Sequence, residues 1–205
     1  LKSILQVYDW AMSNQIETNI EVTTTNRDKK TVFWRGILVA PVVVFLWAFT
    51  PQMSSEWATV FIMFPAVLAL VVRGVYPSYV LSFNHALIEL ETRVIAYALL
   101  LTDDYPSIEK NPKISVVLPD IDGGRKLNRY LPLVKWLLAI PLYLVGLIYA
   151  AAALFVSVLA WFSTWSTGTY PTWALDIVVK TIKFWNRIYG YAFLLVTDEY
   201  PSFAL

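Results

Sequence analysis

One six-residue block occurs twice in this chain. It reads Thr102-Asp103-Asp104-Tyr105-Pro106-Ser107 and, near the last residue, Thr197-Asp198-Glu199-Tyr200-Pro201-Ser202. The blocks belong to a longer register. Tyr76-Pro77 and Tyr170-Pro171 lie 94 residues apart, and the same offset carries Gly74 onto Gly168, Arg93 onto Arg187 and Tyr97 onto Tyr191. Upstream, Pro41 pairs with Pro141 at an offset of 100, and the difference of six matches PQMSSE (51–56), which the second half lacks. A sequence that repeats at this length is expected to fold as two like units. The division falls at 1–107 and 108–205.

Composition says what surrounds those units. Apolar residues make up 58% of the chain and charged residues 15%. A domain of this length has too little interior to hide so much apolar surface, so lipid is the expected surrounding. Nine Trp and twelve Tyr agree with an interface between membrane and water. A net charge of +1 gives no pull toward nucleic acid, and the lack of Cys excludes thiol chemistry and Cys-ligated metals.

The apolar runs Val32–Thr50 and Trp57–Val72 flank PQMSSE and predict a transmembrane hairpin over 32–73. The second apolar region, 131–166, reads either as one long tilted span or as a hairpin turning at Gly146. Basic residues favour the hairpin. All sixteen Lys and Arg lie outside the two proposed tips, so two hairpins put every one of them on one side. The positive-inside rule makes that side cytoplasmic, with both termini there.

Each hairpin is followed by a helix with a polar stripe, over 78–101 and 172–196. In the second, Asp176, Lys180, Lys183 and Arg187 recur at steps of four, three and four. Such helices are expected to lie flat at the membrane surface, where Lys180, Lys183, Arg187 and Arg93 would meet lipid headgroups or an acidic partner. A helix within 1–13 and strands over 18–25 and 113–120, able to pair with each other, complete the reading. The expected fold class is an all-α integral membrane protein: two tandem repeats of a transmembrane hairpin plus an interfacial amphipathic helix, with short surface strands.

The repeated block could act through neighbouring carboxylates, Asp103 with Asp104 and Asp198 with Glu199. It could equally end a helix. Thr102 and Thr197 bind backbone groups, Pro106 and Pro201 stop helical extension, and Tyr105 and Tyr200 anchor at an interface. Adjacent carboxylates at a helix end diverge, so the structural role is favoured. His85 is the sole histidine, and its counterpart is Val179. No metal, cofactor or catalytic group is expected.

LPLVKWLLAIP (131–141), Trp161-Phe162, Thr167-Gly168-Thr169-Tyr170-Pro171 and the run from Arg187 and Tyr191 through Leu195 to Phe203 together resemble a bacterial membrane family. It is the family catalogued as domain of unknown function 4389, here in two tandem copies. The resemblance implies a multi-pass protein of the bacterial cytoplasmic membrane and brings no known activity. The expected function is a non-catalytic accessory or scaffold subunit of a larger membrane complex, with membrane lipids and other membrane subunits as partners and no nucleic acid. The alternatives are a lipid-handling protein and a membrane enzyme using Asp103, Asp104, Asp198 and Glu199.

Overall fold

A computed structural model describes residues 14–47, 56–109 and 111–205. Strand β1 (Glu17–Ile20) leads into helices α1 (Lys29–Leu38), α2 (Ala40–Trp47), α3 (Glu56–Arg73) and α4 (Ser78–Ala98). Strand β2 (Ile114–Val117), the helical turn α5 (Lys135–Leu138) and helices α6 (Ile140–Thr167) and α7 (Thr172–Ala192) follow. β1 and β2 pair antiparallel, Thr18 opposite Val116 and Asn19 opposite Ser115. The helix expected within 1–13 and most of the loop PQMSSE lie outside the described residues.

Local chemistry sets the helix ends. Asp28 caps α1 by accepting a hydrogen bond from the Lys30 amide at 3.0 Å. Gly168 ends α6 in the left-handed region at φ 75°, where a side chain would be strained. The Lys29 ammonium then donates to the Ser166 carbonyl at 2.6 Å, placing a cation on the negative end of α6. The C-terminus of α3 is treated alike: Gly74 adopts φ 64°, and Arg129 donates to the Val72 carbonyl at 2.7 Å.

The second apolar region corrects the hairpin reading. It holds one continuous 28-residue helix, α6, where a hairpin over 131–166 was expected. Gly146 does not turn the chain. A glycine inside a helix costs only about 1 kcal/mol against alanine, and here it admits a neighbour. A methyl group at Gly146 would stand 2.8 Å from the Trp185 ring and 3.2 Å from Phe184, both on α7. Trp185 Nε1 donates to the Gly146 carbonyl at 3.2 Å. The buried side of α6 continues with small residues, Ala153, Ser157, Ala160 and Thr164, so α7 packs close along its length.

The striped helices are corrected as well. α4 and α7 do not lie flat on a surface; they carry the buried core. Val80, Leu87, Ile88, Leu90 and Val94 of α4 are buried, as are Val178, Ile182, Phe184 and Ile188 of α7. Polar residues next to the stripes face inward, where they satisfy one another. The buried Asn186 amide donates to Thr18 Oγ1 at 2.9 Å and to Thr92 Oγ1 at 3.0 Å, tying α7 to β1 and α4.

Among the described residues one helix, α6, is long and apolar enough to cross a membrane, with a mean hydropathy of 2.3 over its most apolar window. Only 22% of that window is buried. A multi-pass protein of two membrane hairpins, with termini placed by charge bias, is therefore overturned. The bias argument needed both regions to turn back, and the second does not.

Candidate functional site

The two repeated blocks sit where α4 and α7 end, and each is gripped by a buried cation. Leu100 and Leu195 turn the chain at φ 67° and 60°, aiming the following Thr-Asp pair back at the helix. Arg35, from α1, donates to the Thr102 carbonyl at 2.5 Å and the Tyr97 carbonyl at 3.0 Å, and it pairs with Asp103. Its guanidinium lies 4.3 Å from the centre of the Tyr97 ring. Arg27 reaches the same carboxylate at 2.9 Å and donates to the Leu100 carbonyl at 2.8 Å.

Lys135 does the same for the second block. Its ammonium donates to the Thr197 carbonyl at 2.6 Å, lies 2.6 Å from Asp198 Oδ1, and sits 5.3 Å from the Tyr191 ring centre. Arg35 and Lys135 each stand six residues before a repeated proline. They are 2% and 0% exposed. Burial pulls the Lys135 pKa down, and the hydrogen bond it donates to Asp198 opposes that. Their identical distance from Pro41 and Pro141 was the sequence signal for a shared role.

The carboxylate neighbours do not form dyads. Asp103 faces Arg27 and Arg35, whereas Asp104 pairs with Lys113 at 2.7 Å. Asp198 faces Lys135 and accepts the Asn128 amide at 2.5 Å, while Glu199 is exposed. Thr102 Oγ1 accepts the Asp104 amide and Thr197 Oγ1 the Glu199 amide, both at 3.1 Å. Tyr105 packs edge-on to Tyr97 at 5.8 Å, and Tyr200 edge-on to Tyr191 at 5.6 Å. Pro106 and Pro201 are buried. A cavity of about 350 Å³ opens beside the second block, where Asp120, Lys126, Asp198 and Glu199 bring charge to its lining. Asp120 and Lys126 pair there at 2.5 Å.

The four basic residues singled out in the sequence are not brought together into one patch. Arg93 is buried and donates to the Glu109 carbonyl at 2.9 Å. Arg187 is half-buried and donates to the Ala204 carbonyl at 2.6 Å. Lys180 is paired with Asp176 at 2.8 Å, and Lys183 is exposed. His85 Nε2 lies 2.6 Å from the Val116 carbonyl, and Glu89 accepts the Val116 amide at 3.4 Å. Those two side chains cover the backbone of β2 at Val116. Among the described residues, no three His, Asp or Glu side chains gather where they could hold a metal ion.

Fold and site together define a mostly helical protein whose repeated carboxylates are locked by buried cations. No protein-family model, no curated protein and no solved structure matches the chain. The reading as a membrane-complex subunit or lipid handler is corrected by the same geometry. It required multi-pass hairpins and basic helices lying on a bilayer with lipid and membrane-subunit partners. The described residues hold one candidate span and a buried ion-pair network in their place.

Proposed function

We propose that this chain is a non-catalytic binding module that works through the exposed apolar side of α6. The commitment of the repeated aspartates to buried cations supports the first half of that reading. A general acid or base needs a proton it can exchange with substrate, and Asp103 and Asp198 are each committed to buried cations.

The observation that carries the second half is the open face of α6. Leu144, Leu147, Ile148, Phe155, Leu159 and Phe162 recur at helical spacing and are each between 43% and 68% exposed. Contiguous apolar surface of this kind marks an interaction site. Near the C-terminal end of α6 the face continues into aromatics: Phe33 of α1 packs 5.7 Å from Trp165, and Trp161 donates to the Val32 carbonyl at 3.0 Å. The partner it fits is itself apolar.

The test replaces Leu147, Ile148 and Phe155 together with Gln and compares oligomeric state by light scattering with and without detergent. The native chain should associate, or need an amphiphile to stay dispersed, and the triple variant should do neither. Identical behaviour of the two proteins, with both folded by circular dichroism, would overturn the reading.

A further inference from the structure

We propose that the chain is a tethered pair of like units, and that the surface between residues 14–107 and residues 113–205 is an interaction surface shaped for a second unit of the same kind. The contacts crossing it come in matched sets. The Arg27 amide donates to the Gly168 carbonyl at 3.0 Å and the Tyr170 amide to the Thr24 carbonyl at 2.8 Å, so the first unit's leader docks on the second unit's helix end. In return, the Tyr76 amide donates to the Gly123 carbonyl at 2.7 Å, so the second unit's leader docks on the end of α3. Lys29 on Ser166 and Arg129 on Val72 repeat the exchange with side chains.

Elements that meet their own counterpart lie at the centre. β1 pairs with β2, and Thr92 bonds to Asn186, its equivalent 94 residues on. Each unit is thereby unfinished alone. Its strand lacks a ladder partner, and its long apolar helix, α3 or α6, lacks the cation that covers the end carbonyls.

The linker between units has an equivalent too. Asp104 and Lys113, 2.7 Å apart, bracket residues 105–112. At the corresponding place Gln15 donates to the Glu199 carbonyl at 2.7 Å, so Gln15 and Glu199 approach as the two ends of the linker do. A connection there would reproduce the one already present, and the linker could be opened.

Two experiments test this, in whatever buffer or detergent keeps the intact chain monodisperse. In the first, a protease site is inserted after Ile108, which is 69% exposed, and the purified full chain is cut. The two pieces should elute together and melt in one transition. Pieces that separate on a native column would overturn the proposal. In the second, a circular permutant joins Glu199 to residue 14 through a copy of 105–112 in place of residues 200–205 and starts at Asn111. It should show the same circular dichroism and a single transition. An unfolded permutant beside a cut chain that stays together would overturn the equivalence of the units.

Discussion

The ammonium of Lys135 and the carboxylate of Asp198 meet at 2.6 Å with the lysine side chain wholly out of water, while the carboxylate keeps 28% of its surface. The pair is lopsided: removing the aspartate strands a buried charge, and removing the lysine strands a wetter one. Breaking a buried pair by deleting one partner costs about 3–5 kcal/mol. Asp198→Ala should therefore destabilise more than Lys135→Met in urea denaturation. A smaller loss for Asp198→Ala would show that the Thr197 carbonyl satisfies the ammonium without Asp198.

Asp103 answers two buried guanidiniums, whereas its neighbour Asp104 sits in an exposed pair. Exposed ion pairs contribute about 0–1 kcal/mol. Asp103→Ala is expected to cost several times more than Asp104→Ala, and a melting comparison of the two variants decides it. Arg27 and Arg35 are left close together without a counter-ion in the first variant, which adds like-charge repulsion to desolvation.

Glycines divide by what faces them. At Gly146 an added methyl meets the Trp185 ring at 2.8 Å, and overpacking of this kind costs about 1–3 kcal/mol. At Gly36, inside α1, nothing lies within 4 Å. Gly36→Ala should stabilise by about 0.5–1 kcal/mol through helix propensity alone. Thermal melts of both variants should move in opposite directions.

Glu91 on α4 is half-buried, and burial pushes its carboxyl up to about 7. Its folded pKa lies above the ordinary carboxyl value of 4.5, so the folded state holds the proton more tightly. Stability from this group is full at low pH, falls as pH rises from about 4.5 to about 7, and is flat beyond. Glu91→Gln should raise the melting temperature at pH 8, leave it little changed at pH 4, and flatten the profile between. A variant that follows the native pH profile would exclude Glu91 as its source.

Local signals along the chain placed many of the elements. Proline, glycine and apolar runs are local signals, so the helices at 78–98 and 172–192 and the strands at 17–20 and 114–117 were legible within a few residues. The repeated Thr-Asp block was legible as a helix end for the same reason. Whether the 131–166 region turned back depended on packing between helices. Gly146 reads alike as a turn or as a notch, and the Trp185 ring on another helix settles it. The same holds for Arg35 and Lys135. A lone cation beside an apolar run looks like one that reaches for water, until a carboxylate 68 or 63 residues later in the chain folds against it. Charge burial depends on partners distant in sequence, and periodicity carries no record of them.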